Sequence, residues 1–135
     1  MLFLCGSNSC RSQMSEGLVN NLWNDKFEAY SAGATTAEVH PLAIQVMKEI
    51  GIDISNQKSK LVTEFNGQDF DYVITLCAGD PGGICPLFIG NAKQTIDWNF
   101  PDPARAKGSK KEVLKVFREV RDGIQNALEE LFRLS

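Results

Sequence analysis

Residues 2–12 read Leu2-Phe3-Leu4-Cys5-Gly6-Ser7-Asn8-Ser9-Cys10-Arg11-Ser12. The first four form a short apolar run of buried-strand length. From Ser12 to Trp23 the apolar residues Met14, Leu18, Val19 and Leu22 mark one face of a helix. Between strand and helix lie only small and polar residues, so the chain opens as a strand, a tight loop and a helix.

The alternation continues along the chain. Phe27 to Ser31 reads as a second strand, closed by Ala32-Gly33. His40-Pro41 opens a helix, because a proline in the first turn gives up an N–H that has no partner there. Leu42, Ile44, Val46, Met47 and Ile50 supply its apolar side, and Gly51 ends it. Asp53 to Lys60 reads as a loop, with a short helix over Val62 to Phe65. Asp71 to Cys77 is the strongest strand pattern, and Gln94 to Trp98 a fourth strand. Gly79 to Gly90 holds four glycines and two prolines and reads as a long mobile loop. Asn99 to Lys107 is a further loop. Ser109 and Glu112 have capping-box spacing. The stripe Val113, Val116, Phe117, Val120, Ile124, Leu128, Leu131 follows. Short apolar strands separated by helices imply parallel pairing through right-handed crossovers and a sheet covered on both faces. The expectation is a single α/β domain over residues 1–135, a central four-stranded parallel sheet with helices on both faces. Ligands of such sheets bind at the carboxyl ends of the strands, where both Cys5 and Cys77 fall.

Composition narrows the class. With 43% hydrophobic and 23% charged residues, the chain has the balance of a soluble globular domain. A net charge of −3 offers no nucleic-acid surface, and Lys107, Lys110 and Lys111 read as a solvated helix start. No apolar run has membrane-spanning length, and Met1 to Cys5 is too short and lacks the basic flank of a signal peptide. A cytoplasmic protein is expected. There, the four cysteines at 5, 10, 77 and 85 point to catalysis, redox chemistry or metal binding rather than to staples. They lack the close C-x2-C pairs of structural zinc sites.

The first loop carries its own chemistry. The backbone N–H groups of Gly6, Ser7, Asn8, Ser9, Cys10, Arg11 and Ser12, with the helix N-terminus behind them, form an anion nest. Arg11 offers a bidentate fork to two oxygens of an oxyanion. The same positive field favours a thiolate at Cys5, and Ser12 can donate to it. A nucleophile, an arginine and converging amides meet the needs of a trigonal-bipyramidal oxyanion transition state. Cys5 could instead be a buried strand-end cysteine and Arg11 a surface charge, but C-x5-R-S between a strand and a helix is far more specific than either. Cys10 receives no catalytic role. Asp102, between two prolines, is equally a general acid or a turn-former. His40, the only histidine, reads as a cap, and Trp23 and Trp98 as packing.

The run Cys5-Gly6-Ser7-Asn8-Ser9-Cys10-Arg11-Ser12-Gln13-Met14-Ser15-Glu16-Gly17 resembles the low-molecular-weight tyrosine phosphatase superfamily and, within it, the thioredoxin-coupled arsenate reductases. Tyr30-Ser31-Ala32-Gly33, Gly51-Ile52-Asp53-Ile54-Ser55, Val73-Ile74-Thr75-Leu76-Cys77, Asp102-Pro103-Ala104 and Arg118-Glu119-Val120-Arg121-Asp122 extend the likeness over nearly the whole chain, in order. The loop is shared with the phosphatases. The strand end Thr75-Leu76-Cys77 and the later Cys85-Pro86 resemble the reductases alone.

The resemblance implies a relay. Cys5 attacks arsenate, Cys77 attacks Cys5 as arsenite leaves, and Cys85 attacks Cys77, leaving a Cys77–Cys85 disulfide for thioredoxin to reduce. The chemical reason for extra thiols is electron count, since reducing arsenate takes the two electrons that a dithiol gives up. Seven residues separate Cys77 from Cys85, one more than is usual in the family. The resemblance also makes Asp102 the general acid. Ala104 stands where the phosphatases carry an aromatic residue, which suits a small inorganic substrate: arsenate, with phosphate or sulfate as mimics. Asn8, Glu16 and Ser31 match positions that organise the loop and, in some members, hold a potassium ion; a plain hydrogen-bond network is the alternative. No other cofactor is expected, and a monomer is. The competing functions are a phosphatase hydrolysing phosphate monoesters through a phosphocysteine at Cys5, and a non-enzymatic phosphate carrier.

Overall fold

A computed structural model describes residues 1–80 and 85–134. Strand β1 (Leu2–Cys5) is fully buried and lies inside the sheet. It pairs in parallel with β2 (Tyr30–Gly33) on one side and β3 (Asp69–Thr75) on the other, and β4 (Asn91–Asp97) pairs with β3, giving the order β2-β1-β3-β4. Successive side chains alternate across such a sheet. Phe3, Cys5, Tyr72 and Ile74 therefore enter one core, and Leu2, Leu4, Ala32 and Val73 the other.

The first core is covered by three α-helices: α1 (Arg11–Leu22), α2 (Pro41–Lys48) and α3 (Lys110–Leu134). The second is closed by the 3-10 turn Val62–Phe65 together with Phe70 and Phe88. Helical cover on both faces thus takes an unequal form, three α-helices against one short turn. In α3 the buried stripe runs Leu114, Phe117, Val120, Ile124, Leu128 and Phe132. Phe132 takes the last core position that periodicity assigns to Leu131, because it stacks on Phe27 at 5.1 Å and meets Trp23 edge-on at 5.0 Å. Arg118 and Arg121 both bind Glu49, and Arg121 also donates to the Val46 carbonyl, pinning α3 to the end of α2. The Arg-Glu-Val-Arg-Asp motif is structural.

Several boundaries differ from the sequence reading. The second strand is Tyr30–Gly33, not Phe27–Ser31. The Lys26 and Phe27 N–H groups turn back onto the Trp23 carbonyl, and the Phe27 ring leaves for the aromatic cluster; pairing starts where Tyr30 N–H reaches the Met1 carbonyl. Strand β3 runs from Asp69 to Thr75, and Cys77 lies beyond it in an isolated antiparallel bridge with Asn99. Strand β4 begins three residues before Gln94 and ends at Asp97 rather than Trp98. Ile50 is 37% exposed, outside the core assigned to it. Helix α2 stops at Lys48, and the Ile52 and Gly51 N–H groups return to Met47 and Lys48 in a Schellman closure. That closure needs the left-handed φ of +79° that Gly51 supplies. The capping box at Ser109 and Glu112 forms as read. Within the expected loop from Gly79 to Gly90, residues 81–84 lie outside the described residues.

Candidate active site

Cys5 ends β1 at the carboxyl edge of the sheet, and the loop 6–10 delivers the chain into α1. Among the described residues no side chain caps the first turn of α1, the end of a helix that suits an anion. The loop is held from below. Asn8 adopts a left-handed φ of 53°, which asparagine tolerates better than most residues. Its Oδ1 accepts from Gln13 Nε2 (2.9 Å) and from the Lys60 backbone N–H (2.8 Å), which fixes the amide orientation. Its Nδ2 donates to Ser12 Oγ at 2.7 Å. Ser12 Oγ lies 2.8 Å from Cys5 Sγ. With an acceptor position of Ser12 taken by Asn8, its O–H is free to point at the Cys5 sulfur. Ser59 Oγ donates to the Ser7 carbonyl, and Gln57 holds Gln13. Gly33 presses against the loop from β2: a Cβ there would meet Asn8 N at 2.8 Å and Gly6 O at 2.9 Å.

Arg11 is 3% exposed and held from several sides. Nη1 donates to Asp80 Oδ1 (2.8 Å) and to the Leu76 and Phe100 carbonyls, and Nη2 to Asp80 Oδ2 (2.8 Å). Nε is buried without a partner among the described residues. The Nη1–Nη2 edge of the guanidinium is therefore filled by Asp80, while the Nε–Nη2 edge stays open. Burial opposes the charge on Arg11, but the hydrogen bonds to Asp80 and the surrounding negative charges outweigh it and hold the guanidinium above its ordinary value.

Around these groups lies a cavity of about 300 Å³, lined among others by Cys5, Arg11, Asp80, Asp102 and Ala104. Asp102 caps the 3-10 turn Pro103–Arg105 through Oδ1, while Oδ2 sits 4.0 Å from Arg11 Nη2. The Asp102 side chain thus faces the same cavity as Cys5. Cys10 also lines it, and burial pushes its thiol up to about 12, so it stays protonated.

Cys77 and Cys85 form a disulfide, and Cys5 and Cys10 are free thiols. Cys77 Sγ is 4.0 Å from the carbonyl oxygen of Leu4, the residue before Cys5. The neighbouring strands β1 and β3 place both cysteines at one sheet edge, as their strand-end positions imply. Cys77 is buried and Cys85 exposed.

Glu16 and Ser31 meet beneath the loop: Ser31 Oγ donates to Glu16 Oε1 at 3.0 Å. Lys60 Nζ lies 3.5 Å from the same oxygen. Burial raises the Glu16 carboxyl, with Lys60 and Ser31 pulling it back down. Asn8 Oδ1 is already committed to two N–H donors and Glu16 has an ammonium beside it. Asn8, Glu16 and Ser31 are thus joined through Lys60 in a hydrogen-bonded network beneath the loop, in which the chain itself supplies a positive charge. Among the described residues no cluster of His, Cys, Asp and Glu could hold a metal.

Sequence reading missed Gln13, Gln57, Ser59, Lys60 and Asp80. Gln13 lay inside the motif already singled out. The others act across 40 residues or more and leave no local signal. His40 is the cap expected, its Nδ1 accepting from Leu42 N–H.

Comparison with known proteins agrees with this geometry. The family described as low molecular weight phosphotyrosine protein phosphatase matches residues 1–134. The arsenate reductase of Bacillus subtilis (strain 168) is 44% identical over 128 residues, covering 95% of this chain and 91% of its own. That of Halalkalibacterium halodurans is 47% identical over 122 residues, 90% of this chain and 86% of its own. A solved arsenate reductase in the phosphate binding state superposes with a TM-score of 0.80 at 38% identity, covering 96% of this chain and 93% of that one.

Proposed function

The chain belongs to the low molecular weight phosphotyrosine protein phosphatase family, and from that membership and the arrangement around Cys5 we propose that it is an arsenate reductase. Arsenate binds with its oxygens on the amides of residues 6–12 and on the open edge of Arg11. The Cys5 thiolate, held by Ser12, attacks arsenic. One arsenate oxygen leaves as water with a proton from Asp102. The Cys77 thiolate then attacks Cys5 Sγ; the sulfur–arsenic bond breaks, its electron pair stays on arsenic, and arsenite departs. Cys85 attacks Cys77, frees Cys5 as a thiolate, and leaves a Cys77–Cys85 disulfide. A dithiol donor, thioredoxin in this proposal, restores the pair by exchange at the exposed Cys85.

The single observation that carries the reading is the disulfide itself: Cys77 and Cys85 are joined while Cys5 is free. That is the state such a relay reaches after arsenite has left. A reducing cytoplasm keeps all four thiols available for the next cycle, and we place the enzyme there, as a monomer. No described helix is long and apolar enough to cross a membrane. The positive charge beneath the loop is that of Lys60, without potassium.

A slower phosphatase activity follows from the same loop, since phosphate esters and arsenate pass through similar transition states. Ala104 in the cavity wall gives an aryl ester no ring to stack on.

The test is NADPH oxidation by the reduced protein with thioredoxin and thioredoxin reductase, with and without arsenate. Arsenate-dependent oxidation is expected. Its absence alongside intact aryl phosphate hydrolysis would make the protein a phosphatase.

A further inference from the structure

We propose that Asp80 is a positioning residue that presents Arg11 to the oxyanion; the inference rests on the oxyanion-binding reading of the first loop. A guanidinium has one edge formed by its two terminal nitrogens and another formed by Nε and Nη2, and each can hold two oxygens. Here the first edge is closed by both oxygens of Asp80 at 2.8 Å. The Leu76 and Phe100 carbonyls at 3.1 and 2.9 Å complete the shell of Nη1. What remains is Nε, buried and without a partner among the described residues. An orphaned donor of this kind is costly unless a ligand takes it. With the far edge clamped, the guanidinium plane cannot rotate, and its open edge is pre-set for two oxygens of the bound anion.

Asp80 is an odd residue to find on the wall of an anion cavity, where a bare carboxylate would repel the substrate. Its charge is absorbed by Arg11, which keeps the guanidinium from being solvated or swung outward. Asp80 also belongs to the relay segment, its N–H donating to the Cys77 carbonyl at 3.1 Å. The residue that aims the arginine and the thiol that attacks Cys5 are three positions apart, so the grip on the anion and the placement of the relay thiol share one stretch of backbone.

The experiment uses the full chain in its Cys77–Cys85 disulfide form, where Cys5 is the one reactive thiol. Phosphate is the probe. Its affinity is measured by calorimetry and by protection of Cys5 against iodoacetamide, in the wild type and in Asp80→Asn. The variant is expected to bind phosphate at least tenfold more weakly. Its unprotected alkylation rate and its melting temperature should hold, and the KM for arsenate should rise in step with the phosphate Kd. Both assays are run well below the melting temperature of each protein, so that weaker binding is not confused with unfolding. Phosphate binding as tight as wild type, or tighter through loss of a negative charge, would overturn the role of Asp80 alone. A wild-type protein that phosphate neither binds nor protects would overturn the oxyanion site on which both readings stand.

Discussion

Ser12 Oγ stands 2.8 Å from Cys5 Sγ while accepting a 2.7 Å hydrogen bond from Asn8 Nδ2. That leaves the serine O–H free to point at the sulfur. A hydrogen bond to a charged group contributes about 1.5–3 kcal/mol, so Ser12→Ala should lower arsenate kcat/KM by roughly 10- to 100-fold. The rate of Cys5 alkylation by iodoacetamide at neutral pH should fall with it. Unchanged kcat/KM and an unchanged alkylation rate would remove Ser12 from the activation of the nucleophile.

The two later cysteines are expected to fail at different points. Cys85→Ser should complete one turnover and stop with a Cys5–Cys77 disulfide, visible by non-reducing peptide mapping. Cys77→Ser should release no arsenite. Cys10→Ser should turn over within a few-fold of wild type. Steady turnover in either of the first two would refute the relay.

Lys60 beside Glu16 sets a pH signature. Burial raises the Glu16 carboxyl above its ordinary 4.5, so the folded state holds that proton more tightly than the unfolded one. The cost of the charged carboxylate is absent below the ordinary value and grows as pH rises through the raised one. Lys60→Met removes the nearest cation and widens the effect. The variant should melt close to wild type at pH 4.5 and be about 1–2 kcal/mol less stable at pH 8, less than for a fully buried pair because Lys60 is partly exposed. Wild-type melting should be the same in potassium and sodium chloride. A specific rise with potassium would put a metal ion at Glu16.

Gly33 has no room for a side chain. A Cβ would meet Thr35 O, Asn8 N and Gly6 O between 2.7 and 2.9 Å, all backbone that must shift. Gly33→Ala should fold with a cooperative melt yet lose about 100-fold in kcat/KM, the scale of a misplacement near 1 Å. Activity within twofold would mean that the loop tolerates the displacement.

Much of this was legible locally. Residues 2–12 encode strand, nest and helix in one continuous stretch, so Cys5, Ser12 and Arg11 could be assigned roles from spacing. The parallel sheet followed from alternation, and the sheet-edge location of Cys77 followed from the sheet. Phe27 misled because an apolar residue before a strand looks like part of it. The distant rings of Phe132 and Tyr72 draw it out of register. Arg11 was read as an open fork, but one of its edges is filled from Asp80, 69 residues away. Lys60 likewise takes its meaning from Glu16 across the sheet edge. Pairings of that range are written in the tertiary structure and have no periodicity to betray them.

Cys10 gives the thiol chemistry a safeguard. It lines the same cavity as the nucleophile, and an exchange cascade is only as faithful as its worst side reaction. Attack on a sulfur requires a thiolate, and a thiol held near 12 is almost never one at neutral pH. In the proposed relay, oxidising equivalents that arrive at Cys5 are therefore not short-circuited into a dead-end Cys5–Cys10 bond. They have one exit, outward to the exposed Cys85.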